Sequence, residues 1–381
     1  MTVFNYQKTG RFFAQIADGM EELGTGELSD LGAEDINAGY RGLYFSADKA
    51  SLYKINYCAR FITRVLAPLI TFDCHSTKYL YKTARTINWP DIFSLEKTFV
   101  ISANVSNSHI RHSQYAALCL KDAIVDCFRD TYDKRPDVER INPDIGINLY
   151  INNNKATIYI DTSGGSLHRR GYRRDSVEAP MQETLAAAVI ELSGWDGQDQ
   201  LYDPMCGSGT LLFEALMSYC RIPSGYFREN FGFAFLPDFD KAVWKRVKRL
   251  SDSNIRELPR GLIAGSDASG TAIASARKNA DNIKGGHRIT FSKKPFQDLD
   301  SLNNATIVCN PPYGMRIGKN QDMVSFIKDF GDFLKQRCTG SRAYVYFGKR
   351  ELIKSLGLHA SWKKPLKNGQ LDGRLVKYDL Y

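Results

Sequence analysis

The chain has 381 residues, more than a single ordinary domain holds, so two or three domains are expected. Its 43% hydrophobic and 24% charged residues exclude a disordered chain, a collagen-like repeat and a fibrous coil. With 51 Lys+Arg against 42 Asp+Glu the net charge is +9, which suits a polyanionic partner and equally suits an ordinary basic enzyme.

The opening stretch from Met1 to Lys8 lacks the basic-then-apolar order of a signal peptide. No run reaches the roughly 18 apolar residues of a membrane span, so a cytoplasmic protein that avoids the membrane is expected. Strands are predicted at Phe12 to Ile16, Gly42 to Phe45, Thr98 to Ser102 and Thr157 to Ile160, with an amphipathic helix from Ser113 to Arg129. This first part reads as α+β. The polar, arginine-rich stretch from Asp161 to Ala179, closed by Pro180, marks the junction between domains.

From Leu201 onward, short apolar runs alternate with helical segments, the rhythm of a mostly parallel, doubly wound α/β sheet. The strands are placed at Leu201 to Tyr202, Leu262 to Ser266, Thr306 to Cys309 and Ala343 to Phe347, with helices at Thr210 to Cys220 and Ser269 to Ala280. Cys58, Cys74, Cys119, Cys127, Cys206, Cys220, Cys309 and Cys338 form no C-x-x-C pair and read as buried free thiols. No metal site is expected.

The segment Asp203-Pro204-Met205-Cys206-Gly207-Ser208-Gly209-Thr210 lies between a strand and a helix, where open α/β sheets bind ligands. Gly207 and Gly209 let the backbone approach a bound molecule, and Asp203 can accept a hydrogen bond from an amine or a hydroxyl. Without Lys-Ser/Thr it is no P-loop, and without a third glycine it is no dinucleotide fingerprint. Asp267, ending the next strand, suits a ribose. Asp298 can accept the amine of an adenine ring.

The most specific signal is Asn310-Pro311-Pro312-Tyr313-Gly314 after the strand ending at Cys309. Two prolines make a stiff loop that cannot extend the sheet. The Asn310 side-chain oxygen and the Pro311 carbonyl can accept from an exocyclic amine as its nitrogen attacks, and Tyr313 offers a ring for stacking. Cys206 and Cys309 lack an obvious neighbouring base, which argues against covalent catalysis by a thiol.

With these motifs the chain resembles the class I, S-adenosylmethionine-dependent RNA methyltransferases that carry a THUMP domain. It is most similar to the bacterial enzymes acting on guanine N2 of 23S ribosomal RNA, often labelled N6-adenine-specific methylases. The likeness extends to Asn107 to Ala117, Lys121 to Asp126, Lys134-Arg135-Pro136, Ser166 to Arg173 and Ala179 to Ala188. It implies a ferredoxin-like α+β subdomain over 1–55, a THUMP domain over 56–165, a basic linker over 166–180 and a Rossmann-like class I methyltransferase domain over 181–381. It also implies methionyl contacts at Asp203, Cys206, Gly207, Ser208, Gly209 and Thr210, ribose contacts at Asp267 and adenine contacts at Asp298. The target base would fall to Asn310, Pro311, Pro312 and Tyr313. Met315 departs from the acidic residue many relatives have before Arg316, and 381 residues leave no room for the second methyltransferase domain of the larger members.

Arg169, Arg170, Arg173 and Arg174 at the junction are expected to clamp ribosomal RNA, with Lys82, Arg85, Arg111, His112 and Lys121 as further phosphate contacts. The run Lys241, Lys245, Arg246, Lys248 and Arg249 reads as a solvated helix face. The expected activity is methyl transfer to guanine N2 by direct in-line displacement. Adenine-N6 methylation of RNA or DNA, or a non-catalytic RNA-binding factor of ribosome assembly, are the alternatives.

Overall fold

In the computed structural model, residues 3–175, 181–312, 320–369 and 371–381 are described. The chain runs α1 (Asn5–Thr9), β1 (Arg11–Ile16), α2 (Glu21–Asp30), β2 (Glu34–Gly39), β3 (Gly42–Ser46), α3 (Lys49–Cys58), β4 (Ile62–Asp73), α4 (Thr77–Ala84), β5 (Phe99–Ser106), α5 (Ser113–Tyr132), β6 (Ile145–Asn152) and β7 (Lys155–Asp161). It continues with α6 (Glu183–Ser193), β8 (Leu201–Asp203), α7 (Thr210–Tyr219), α8 (Lys241–Asp252), β9 (Ile263–Asp267), α9 (Gly270–Ala280), β10 (Thr290–Lys293), β11 (Thr306–Cys309), α10 (Asn320–Arg337), β12 (Arg342–Phe347), β13 (Trp362–Pro365) and β14 (Arg374–Asp379). No helix among the described residues is long and apolar enough to cross a membrane.

The chain forms two units, and neither is a continuous stretch of sequence. The first comprises Met1–Ile16, Gly24–Leu167 and Arg228–Leu250; the second comprises Ala17–Leu23, His168–Phe227 and Ser251–Tyr381.

The first unit is α+β, built on a seven-stranded sheet of order β2-β3-β1-β4-β7-β6-β5. All pairs are antiparallel except β5 with β6. The twelve-residue β4 pairs with β1 on one side and β7 on the other, so one sheet runs through the whole unit. Its register shifts between Pro68 and Ile70, where proline offers no N–H to the ladder. The division expected between 55 and 56 falls inside α3. Asp48 caps this helix by accepting from the Ser51 N–H, and Leu52, Tyr53, Ile55, Asn56 and Tyr57 are buried along it.

Residues 228–250, inside the stretch 181–381 expected to form the methyltransferase domain, pack with the first unit. Phe231, Phe233 and Val247 belong to the same core as Tyr53, Tyr57, Phe45 and Phe99. The Trp244 ring packs edge-on against Tyr53, Tyr57, Phe231 and Phe233. The backbone closes the join: the Phe233 N–H donates to the Thr162 carbonyl at 2.7 Å, and Arg228 donates to the carbonyls of Ser163 and Ser166. Gly232 lies so close to the Asp161 carbonyl oxygen that a β-carbon has no space.

The second unit holds the doubly wound sheet, of order β10-β9-β8-β11-β12-β14-β13. The strands from β10 to β12 are parallel, and β14 runs antiparallel between β12 and β13. Apolar residues fill its interior, as two-sided burial of a parallel sheet requires: Ile263, Ile307, Val308, Cys309 and Val345 are fully buried. The chain moves outward from β8 through β9 to β10, then returns to place β11 on the other side of β8. The carboxyl ends of β8 and β11 therefore flank the topological switch point, where such sheets form their ligand crevice.

Candidate active site

Asp203 ends β8 and begins a tight loop. Cys206 N–H donates to the Ser266 carbonyl at 2.9 Å, and the Gly209 N–H turns back to the Cys206 carbonyl at 2.8 Å. Gly207 and Gly209 take φ of 55° and 90°, a region closed to most side chains, and a β-carbon on Gly209 would lie 2.7 Å from the Phe213 ring. Gly209 starts α7 with no side chain capping it, which leaves the first N–H groups of the helix open to a ligand. Asp267, at the end of β9, accepts from Gly207 N–H at 2.9 Å and from Ser269 N–H at 2.8 Å, tying the loop to the neighbouring strand.

Asp203 is only 2% exposed and accepts from Met205 N–H at 3.0 Å. Burial holds its carboxyl well above the usual range despite that bond, and the charge of Asp267 pushes the same way. Burial, followed by the charges of Asp203 and Asp267, also raises the thiols of Cys206 and Cys309 well above normal, so neither is an activated nucleophile. β8 is paired with β9 on one side and β11 on the other, all parallel, so their carboxyl ends stand side by side. Ser208 and Thr210 are buried in the loop, whereas Asp298 is exposed on a short 3-10 turn, Phe296–Asp298.

Asn310 follows β11 directly. Its side-chain oxygen is buried and has no hydrogen-bond partner among the described residues. A buried acceptor left unpaired costs about 1–3 kcal/mol, so it is poised to receive a donor from a ligand. Pro311 is buried and Pro312 half-buried. Tyr313 lies outside the described residues.

Two of the four junction arginines, Arg170 and Arg173, are not available as the RNA clamp expected of them, whereas Arg169 and Arg174 are exposed. Arg170 is 1% exposed, and its guanidinium pairs with Glu214 of α7 at 3.3 Å, with the Tyr172 hydroxyl donating to the same carboxylate at 3.2 Å. Arg173 pairs with the buried Glu183 at 3.0 Å and donates to the Thr210 hydroxyl at 3.1 Å, at the very start of α7. Both side chains are spent inside the second unit because each faces a buried carboxylate. Asn279 completes the brace: its side-chain oxygen accepts from the Arg174 and Asp175 N–H groups, and its amide donates to the Ser208 carbonyl at 3.4 Å. Sequence reasoning missed Glu214 and Asn279. Glu214 could have been found as the one acid in the otherwise apolar Leu211-Leu212-Phe213-Glu214-Ala215-Leu216-Met217.

Arg169 is exposed. Of the candidates in the first unit, Lys82, Arg111 and His112 are exposed, Arg111 and His112 beside Tyr115 and Leu118 at a surface hollow where α5 begins. Arg85 is ion-paired with Asp130, and Lys121 with Asp122 at 2.6 Å.

Residues 170–377 match the RMKL-like methyltransferase domain, residues 74–161 the THUMP domain and residues 11–66 the RlmL ferredoxin-like domain. A Synechocystis sp. protein named as an RNA methyltransferase is 39% identical over 374 residues, covering 98% of this chain and 97% of that one. Among solved structures, the methyltransferase SMU.472, crystallised with SAH, superposes with a TM-score of 0.85 at 26% identity, over 98% of both chains. A methylase from Clostridium difficile 630 gives 0.84 at 28% identity, covering 97% of this chain and 98% of that one. A Listeria monocytogenes protein named for N6-adenine-specific DNA methylation gives 0.83 at 25% identity, covering 97% and 96%. The loops at the switch point and these matches lead to one conclusion: the chain belongs to the RMKL-like methyltransferase family, with THUMP and RlmL ferredoxin-like domains preceding its methyltransferase domain.

Proposed function

We propose that this protein acts in the cytoplasm and transfers a methyl group from S-adenosylmethionine to the exocyclic N2 of a guanine in 23S ribosomal RNA, on the large-subunit RNA or an assembly intermediate. The observation that carries the reading is the buried side-chain oxygen of Asn310 at the carboxyl end of β11, unpaired among the described residues. An exocyclic amine supplies the donor it lacks.

The loop residues fit the cofactor. Gly207 and Gly209 leave space where a side chain would obstruct, and α7 presents open N–H groups. Asp203 with Cys206, Gly207, Ser208, Gly209 and Thr210 would hold the methionyl part, Asp267 the ribose and Asp298 the adenine. S-adenosylmethionine supplies a methyl group on a sulfonium that departs as a neutral thioether. Asn310, aided by the Pro311 carbonyl, would accept both N–H bonds of the target amine and direct the nitrogen lone pair at the methyl carbon. The nitrogen would gain the methyl as the carbon–sulfur bond breaks, and give one proton to solvent water. This needs positioning and charge complementarity and no covalent enzyme intermediate.

The test is Asn310→Ala. Methyl incorporation into large-subunit RNA should fall about 10²–10³-fold, with cofactor affinity by calorimetry unchanged. Activity within a few-fold of wild type would refute the role. Nucleoside mass spectrometry of the product decides the base: N2-methylguanosine is expected, and N6-methyladenosine would replace guanine with adenine in the reading.

A further inference from the structure

A run of exposed positive charge in the first unit lies on α8, and we propose that its exposed face is a contact for the phosphate backbone of the RNA substrate. This rests on the RNA reading above and specifies where that RNA is held. Between Lys241 and Leu250 the sequence Lys-Ala-Val-Trp-Lys-Arg-Val-Lys-Arg-Leu contains five cations and no acid. The helix buries one face: Val247 is 8% exposed, Trp244 packs into the aromatic cluster, and Lys248 donates to the Tyr57 hydroxyl at 3.0 Å while lying over its ring. Lys241, Lys245, Arg246 and Arg249 are all exposed, and none forms an ion pair among the described residues. Of the two carboxylates that bracket this run, Asp252 ends the helix, three residues beyond Arg249, and Asp240 precedes it, already accepting from the Ala242 and Val243 N–H groups.

Two alternatives fit less well. A face that only meets solvent gains by interleaving acids four residues from its bases, whereas here Lys241, Lys245 and Arg249 follow one another at four-residue spacing and repel. A membrane-surface helix needs an apolar face to insert, but Val243, Trp244 and Val247 pack against the protein core. What remains is a row of cations about 6 Å apart along the axis, able to follow successive phosphates without reading bases.

The test is the full-length variant K241Q/K245Q/R246Q/R249Q, which leaves Trp244 and Lys248 in place. Binding to a structured large-subunit RNA fragment is measured by fluorescence anisotropy from about 50 to 200 mM salt. The log-log salt slope should become shallower by about 3, with affinity down at least tenfold at the low-salt end. A matched variant, K328Q/K335Q/K349Q/K354Q, removes equal charge from exposed sites in the second unit and should change the slope less. Tryptophan fluorescence and cofactor calorimetry confirm that both variants fold.

An unchanged slope in the α8 variant, or an equal loss in the matched variant, would overturn the proposal while wild-type binding leaves the RNA reading standing. Absence of salt-dependent RNA binding by the wild type would sink both. Co-sedimentation with phosphatidylglycerol vesicles that the four substitutions abolish, at intact RNA affinity, would replace RNA with a membrane surface.

Discussion

Replacing Arg170 with Met leaves the Glu214 carboxylate without its cation in a place where both side chains are 0% exposed. The Tyr172 hydroxyl, donating at 3.2 Å, would still solvate it. Loss of one partner from a buried pair costs about 3–5 kcal/mol, because the surviving charge is far from water. For a unit of roughly 200 residues, at about 2–4 °C per kcal/mol, this lowers the melting temperature by roughly 6–20 °C. The double variant R170M/E214L removes both charges and should recover most of the loss, since apolar replacement of a buried pair is often neutral. Thermal and urea unfolding of the wild type, both single variants and the double variant give the coupling energy. The salt dependence of RNA binding should be unchanged in R170M, provided that the assay temperature is kept well below its melting temperature. A loss under about 1 kcal/mol, or a shallower salt slope at full stability, would refute the structural assignment of Arg170.

Further expectations concern the cofactor loop and the split first unit. Gly209→Ala forces a β-carbon into the left-handed region and against the Phe213 ring; a loss of about 1–3 kcal/mol and at least tenfold weaker cofactor binding are expected by urea unfolding and calorimetry, and wild-type values would contradict the close packing. Native Asp203 holds its proton to higher pH than it does in the unfolded chain, so its contribution to stability diminishes as pH rises above about 4. Asp203→Asn should therefore flatten the stability–pH curve of the ligand-free protein, and parallel curves for the two proteins would count against the raised carboxyl. Gly232→Ala, with no space beside the Asp161 carbonyl, should cost about 2–4 kcal/mol and expose 228–250 to protease; unchanged cleavage would show that the join yields.

The switch-point site was readable because its chemistry is local. Gly207 and Gly209 are needed by the turn itself, Asp267 stands where its strand ends, and Pro311-Pro312 cannot continue β11. The fate of Arg170 and Arg173 was not readable, because an arginine's surroundings depend on carboxylates distant in sequence: Glu214 meets Arg170 across 44 positions. The same limit hid the attachment of 228–250. Phe231, Phe233 and Trp244 plainly ask for burial, but nothing near them specifies Tyr53 and Tyr57 as the receiving surface. Charge counting thus could not tell the buried Arg170 from the exposed cations around it.

The interrupted first unit also sets an order of events during synthesis. Its core cannot close when the ribosome has made the segment ending at Leu167, because Phe231, Phe233 and Trp244 are still to come. Roughly 80 further residues, or about 4–16 s of translation at ordinary bacterial and eukaryotic rates, separate that point from completion of the arm. During this interval the nascent chain carries an open aromatic socket around Tyr53 and Tyr57, a surface that a holdase can occupy and that a premature stop would leave permanently bare.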